Sequence, residues 1–197
     1  MNKRIGLFGG SFNPITIAHI NISEHLINNN YFDEIWLLPS NTSGYNKKLV
    51  LGLHRINMCN LAINEDYKEK IKVCNFEIIN DCGYSTYENL LALKSFYNNS
   101  YNYSFIIGID NATNMVNWDN FERLIKLIPF FVVNRSEYIF PENTWFLNYP
   151  HFHLNEDIDG TIMISSTEAK KNIGNKKISN YLNENVIQYI LINNLYN

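Results

Sequence analysis

The stretch Gly9-Gly10-Ser11-Phe12-Asn13-Pro14-Ile15-Thr16-Ile17-Ala18-His19 constrains this chain more than any other. It directly follows a short apolar run, Ile5-Gly6-Leu7-Phe8, that reads as the first strand of a sheet. Gly9 and Gly10 lack Cβ atoms, so the chain is expected to turn sharply there and to let a bulky anion approach the backbone. Asn13 is a good N-cap and Pro14 a good first helical residue, which places a helix start at that point. A helix N-terminus offers unpaired N–H groups and partial positive charge, both suited to phosphate. Thr16 and His19, three residues apart, share one face of the first turns. Glycines, a helix start, a hydroxyl and an imidazole thus converge on one small volume, which describes a phosphate site with a charge-handling group in it. A strand–glycine–helix junction by itself is common in α/β proteins, and a lone histidine is more often structural than catalytic. The reading therefore rests on the whole string.

The chain has 197 residues, enough for one domain over 1–197 with a sizeable core and a helical portion from about residue 165. Its apolar share of 46% and charged share of 18% are those of a globular protein. A net charge of −3 gives no basic field for nucleic acid. Cys59, Cys74 and Cys82 show no metal-like spacing and cannot all pair with one another, which points to a reducing compartment, the cytoplasm or the nucleus. The apolar run after Lys3-Arg4 is too short for a signal segment, and no stretch is long enough to span a bilayer. Assembly into a homo-oligomer is left open.

Strands are expected at Ile5–Phe8, Glu34–Leu38, Lys72–Ile79, Tyr103–Ile107, Phe130–Val133, Phe152–Leu154 and Thr161–Ile164. Helices are expected over Ile17–Asn28, Leu51–Ile63, Tyr87–Tyr97, part of Asn111–Leu127, Ser166–Asn172 and Glu184–Leu195. The alternation predicts an α/β fold: a Rossmann-like, doubly wound, mostly parallel sheet with helices on both faces and a small helical portion at the end. Such sheets bind ligands beyond the carboxyl ends of their strands. Candidate polar groups follow predicted strands: Gly9-Gly10, then Gly108-Ile109-Asp110, Asn134-Arg135 and Ser165-Ser166-Thr167. Their shared position predicts one common cleft.

Two strings carry a resemblance. Gly10 to His19 resembles the signature Gly-x-Phe-(Asp/Asn)-Pro-x-(His/Thr)-x-Gly-His of the nucleotidyltransferase superfamily, departing at Ala18, where Gly is usual. Ile164-Ser165-Ser166-Thr167-Glu168-Ala169-Lys170 resembles its other signature, Ile-Ser-Ser-Thr-x-x-(Arg/Lys). Phe105–Asp110 with Trp118, and Gly83-Tyr84-Ser85-Thr86-Tyr87-Glu88-Asn89-Leu90 more loosely, are similar to blocks of the nicotinate and nicotinamide mononucleotide adenylyltransferases. This likeness runs nearly end to end.

The resemblance implies transfer of the adenylyl group of ATP to nicotinate mononucleotide, with release of pyrophosphate. It implies that Gly9, Gly10, Ser11, Phe12, His19, Gly108, Asp110, Asn134 and Arg135 hold ATP. Ser165, Ser166 and Lys170 would steady the leaving pyrophosphate, with Lys171 the neighbouring alternative for the charge. His19 would hydrogen-bond the α-phosphate, and Thr16 would donate beside it. Lys47 or Lys48, Arg55, Tyr84, Ser85, Thr86 and Trp118 would meet the mononucleotide, with Trp118 stacked on the pyridine ring. Mg²⁺ would enter with ATP and be held more by nucleotide and water than by protein. The acid is expected over the amide, because the helix start at residues 84–86 suits a carboxylate. A phosphopantetheine adenylyltransferase also carries Thr at the Thr16 position, a cytidylyltransferase is a weaker rival, and a nucleotide sensor without turnover is the reading from another class.

Overall fold

A computed structural model describes residues 2–42, 48–83, 85–97, 100–134, 139–158, 160–161 and 164–196. Six strands form one sheet: β1 (Arg4–Gly10), β2 (Glu34–Pro39), β3 (Ile71–Val73), β4 (Asn102–Gly108), β5 (Phe130–Val133) and β6 (Phe152–Leu154). Their order is β3-β2-β1-β4-β5-β6, and every neighbouring pair is parallel. The order reverses between β1 and β4, and a doubly wound sheet opens its crevice at that point.

The side-chain alternation of the strands explains the two cores. Ile35 and Leu37 of β2, Ile106 of β4, and Phe131 and Val133 of β5 face one layer. Trp36 and Leu38, Phe105 and Ile107, and Phe130 and Val132 face the other. Because both faces are covered at the centre of the sheet, β2 and β5 are buried along their whole length. The first layer is covered by α1 (Ile17–Asn28), α2 (Gly52–Ala62), α7 (Ser166–Lys171) and α8 (Glu184–Ile192). The second is covered by α3 (Phe76–Ile79), α4 (Thr86–Phe96), α5 (Ile109–Asn114) and α6 (Phe121–Leu127).

Several expectations need correction. The strand expected over Lys72–Ile79 is a three-residue edge strand followed by α3. Asn75 leaves the extended region at φ −85°, ψ 11°, and Ile79 N–H then bonds to its carbonyl. The helix expected within 111–127 is broken into α5, a 3-10 turn at Met115–Asn117, and α6. Asn120 marks the break with φ 60°, a left-handed conformation that asparagine tolerates. Thr161 and Ile164 lie in no strand, and residues 162–163 fall outside the described set.

The largest correction concerns the helix after β1. It begins at Ile17 with Thr16 as its N-cap, not at Asn13-Pro14. Asn13 is spent elsewhere: its amide donates to the Lys48 carbonyl (3.2 Å) and its Oδ1 accepts from Val50 N–H (3.2 Å) and the Tyr196 hydroxyl (2.9 Å). The glycines also act differently from expectation. Gly9 and Gly10 are extended residues of β1, and the left-handed residue is Phe12, at φ 42°. Gly9 is required for space, since a Cβ there would lie 2.3 Å from the Phe105 ring.

Candidate active site

A cleft of about 160 Å³ opens at the carboxyl edge of β1 and β4. It is lined by Gly9, Gly10, Ser11 and Phe12 after β1, by His19 on α1, by Gly108 and Asp110 after β4, by Asn134 after β5 and by Ser166 on α7. Residues from both motifs and from two intervening strand ends therefore meet in one volume. Asn111 and Thr161 also line it and were missed by the sequence reading. Asn111 could have been found from its place beside Asp110 at the start of α5; Thr161 has no local signal.

His19 is held by the residue that caps its helix. Its Nδ1 receives the Thr16 backbone N–H at 3.1 Å and lies 2.7 Å from Thr16 Oγ1. A backbone N–H can only donate, so Nδ1 is an acceptor and the ring proton sits on Nε2. The Thr16 hydroxyl then also donates to Nδ1. Two aromatic rings fix the plane: Phe12 lies edge-on at 5.1 Å and Phe8 at 5.8 Å. Thr16 is 1% exposed. The hydroxyl expected to donate to phosphate is thus buried and committed to His19, and Thr16 orients rather than touches a ligand. At the helix start itself, the Ile17 N–H is taken by the Tyr181 carbonyl at 2.9 Å.

The second motif is stitched to the first. Ser165 caps α7, its Oγ accepting the Glu168 N–H at 3.2 Å, and Ser166 Oγ donates to the Pro14 carbonyl at 2.8 Å. Lys171 is exposed and paired with Glu168 at 2.7 Å. Lys170 is half-buried, its Nζ 6.0 Å from the centre of the Tyr196 ring. Of the two lysines, Lys170 is the one held inward. Gly108 caps α5, and a Cβ there would fall 2.8 Å from Asp110 Oδ1, so glycine lets the carboxylate fold back over the strand end. Asn134 Oδ1 is buried and finds no partner among the described residues.

The residues expected around a second substrate are less gathered. Arg55 is 1% exposed and faces inward: Nε donates to the Val50 carbonyl (3.1 Å), and one terminal nitrogen to the Ser11 (2.8 Å) and Ser40 (2.6 Å) carbonyls. Burial pulls its pKa below the ordinary value. It is a buried brace between the strand-end loops, not a phosphate ligand. Lys48 is exposed, with its carbonyl on Asn13. Ser85 caps α4 in a capping box: its N–H and hydroxyl both give to Glu88 Oε2 at 3.1 Å. Thr86 opens that helix. Trp118 is half-buried against the second core and does not line the cleft. Lys47, Tyr84 and Arg135 lie outside the described residues.

No described helix is long and apolar enough to cross a membrane. No group of three or more His, Cys, Asp or Glu among the described residues is arranged to hold a metal. All three cysteines are buried, and burial pushes each thiol above its usual range.

Known proteins share this architecture. A model of the Cytidylyltransferase-like family matches residues 7–172. The chain is 32% identical over 203 residues to a probable nicotinate-nucleotide adenylyltransferase of Flavobacterium psychrophilum, covering 98% of each. It is 37% identical over 145 residues to a probable nicotinate-nucleotide adenylyltransferase of Staphylococcus epidermidis, covering 69% of this chain and 71% of that one. Among solved structures, it superimposes with a TM-score of 0.86 and 30% identity on Plasmodium falciparum nicotinic acid mononucleotide adenylyltransferase complexed with NaAD, covering 98% of this chain and 97% of that one. Similarity that spans whole chains, over the same parallel sheet and its cleft, shows that this chain belongs to the nicotinate-nucleotide adenylyltransferases of the Cytidylyltransferase-like family.

Proposed function

We infer that the chain transfers the adenylyl group of ATP to nicotinate mononucleotide, giving nicotinate adenine dinucleotide and pyrophosphate. The observation that carries the reading within the site is His19. Its Nδ1 accepts from Thr16, which puts the ring proton on Nε2 of a ring that lines the cleft beside Gly9 and Gly10.

In this reaction an oxygen of the mononucleotide 5′-phosphate attacks the α-phosphorus of ATP. The new P–O bond forms as the bond to the β-phosphate oxygen breaks, and pyrophosphate leaves. The attacking oxygen is already anionic, so the protein needs neither a nucleophile nor a strong base. Catalysis is then positioning plus stabilisation of the charge that builds on the α-phosphate. His19 Nε2–H meets that charge. Gly9 and Gly10 let the triphosphate lie against bare backbone, with Ser11 and Phe12 closing that side. Ser165, Ser166 and Lys170 face the departing pyrophosphate. Asp110, next to Gly108, takes the ribose hydroxyls. Asn134, whose Oδ1 is a buried acceptor, suits the amino group of adenine, with Arg135 beside it. The mononucleotide falls to Lys48 with Lys47, to Tyr84, to the helix start at Ser85 and Thr86, and to Trp118.

Among the described lining residues Asp110 is the one carboxylate, and the wall they form gathers no second acidic group beside it. That set fits Mg²⁺ carried in by ATP better than a resident ion. Nucleotide oxygens and water would hold it, and the ion would neutralise phosphate charge during transfer.

The test is pyrophosphate release from Mg·ATP with nicotinate mononucleotide, nicotinamide mononucleotide or phosphopantetheine as acceptor, with the product identified by mass. Dinucleotide and pyrophosphate should appear in equal amounts, fastest with nicotinate mononucleotide. Release with phosphopantetheine alone, or with no acceptor, would overturn the reading.

A further inference from the structure

Tyr196 lies beyond the last helix, far along the chain from the cleft residues, yet it touches two parts of the site. The route back is encoded in the end of α8. Leu195 N–H bonds to the Ile190 carbonyl (3.0 Å), Asn194 N–H to that of Leu191 (3.3 Å), and Asn194 is left-handed at φ 50°. These two bonds and that residue form a Schellman motif, which reverses the chain at the helix end. Leu195 then enters the first core, and Tyr196 is delivered under the signature loop. Its hydroxyl donates to Asn13 Oδ1 at 2.9 Å, and its ring lies 6.0 Å from Lys170 Nζ, a cation–π distance. Burial pushes the phenol pKa up, so the hydroxyl keeps its proton and remains a donor.

Asn13 distributes this contact. The Oδ1 that accepts from Tyr196 also accepts from Val50 N–H, and its amide holds the Lys48 carbonyl. Phe12, next to Asn13, packs its ring on His19. Phe12 and Tyr196 are both bulky aromatic residues at positive φ, 42° and 67°. Large side chains rarely adopt that conformation, and where they do the surroundings hold them there, often at functional sites.

We propose that Tyr196 is a positioning residue for adenylyl transfer: through Asn13 it sets the loop that seats Phe12 against His19, and through its ring it aims Lys170 at the leaving pyrophosphate. The proposal rests on the reading that the cleft binds ATP. It assigns the two ends of Tyr196 separate effects. The hydroxyl governs the α-phosphate side, and the ring governs the pyrophosphate side.

The experiment uses the full chain with Tyr196→Phe and Tyr196→Leu. Tyr196→Phe removes the bond to Asn13 and keeps the ring by Lys170. It should lower kcat roughly tenfold, the scale of a small misplacement at a reacting centre, with KM for nicotinate mononucleotide within about twofold. Tyr196→Leu should in addition raise KM for ATP and weaken Mg·ATP binding, titrated calorimetrically without acceptor. Asn13→Ala combined with Tyr196→Phe should cost no more than Asn13→Ala alone, since both break one contact. A fall in Tm with kinetic constants unchanged in either variant, or strictly additive effects of the Asn13 and Tyr196 changes, would overturn the proposal. Failure of the unaltered protein to bind Mg·ATP would instead remove the reading beneath it, and that appears before any substitution is made.

Discussion

Thr16 and His19 form a closed pair: the backbone N–H and the hydroxyl of Thr16 both meet Nδ1 of His19, at 3.1 and 2.7 Å. The contact fixes the tautomer and the tilt of the ring together. His19→Ala should therefore cut kcat by about 10²–10³, the usual cost of one transition-state donor, with the fold intact. Thr16→Val keeps the N–H and loses the hydroxyl, so a smaller loss, roughly tenfold or less, should follow. Thr16→Ser should retain most activity. Steady-state kinetics beside a thermal melt check all three. If Thr16→Val were as inactive as His19→Ala at equal Tm, the hydroxyl would be meeting substrate directly.

Arg55 makes a contrasting prediction. Its guanidinium serves three carbonyls, those of Ser11, Ser40 and Val50, in a site closed to water. Arg55→Ala leaves these acceptors unmet and opens a cavity. Each unsatisfied buried group costs about 1–3 kcal/mol, so a loss of several kcal/mol is expected. Chemical denaturation measures it. A variant of unchanged stability with a raised KM for the mononucleotide would return Arg55 to the role of phosphate ligand.

The sheet was legible because its strands are buried on both faces. Glu34–Pro39 and Phe130–Val133 read as apolar runs whatever their neighbours, and the short edge strand β6 was legible as well. The cleft was legible because strand ends carry its residues. Asn13 shows what local reading misses. By propensity it is an N-cap, but its amide is claimed by partners 35, 37 and 183 positions away. Arg55 failed for the same reason. A lone arginine after a basic loop reads as a ligand until the carbonyls around it are known. At Ser85 the residue type was right, but its donors are taken by Glu88.

Glu77 predicts a pH dependence. Its carboxyl is buried, accepting the Asn41 N–H (3.4 Å) and the Asn89 side chain, and burial raises its pKa from 4.5 to about 7. Arg55 on α2 faces it, as do Cys74 and Cys82. Between pH 4.5 and 7 the folded state holds a proton that the unfolded state releases. Stability from this group therefore falls as pH rises through that window, and the full penalty stands above it. At about 1.4 kcal/mol per pKa unit the penalty is about 3 kcal/mol. Glu77→Gln removes the titration, so its stability relative to the unaltered protein should rise between pH 5 and pH 8. A difference that stays constant over that range would show that Glu77 carries no such proton.

Glu88 bears on the choice between acid and amide. The N–H and hydroxyl of Ser85 are both given to its carboxylate, so a substrate carboxylate at this helix start must use the next N–H groups and the helix dipole. It also meets a like charge. Glu88→Gln preserves the capping box, because glutamine is an accepted partner at that position, and removes the charge. Glu88 is exposed, so stability should hardly change. The selectivity for nicotinate over nicotinamide mononucleotide, read as the ratio of kcat/KM values, should rise by roughly two- to fivefold. That range is what an exposed charge contact of up to about 1 kcal/mol supplies. The neutral amide gains nothing from the change, so its own kcat/KM should stay where it was. A ratio that does not move, or moves through the amide, would place the pyridine substituent away from the start of α4.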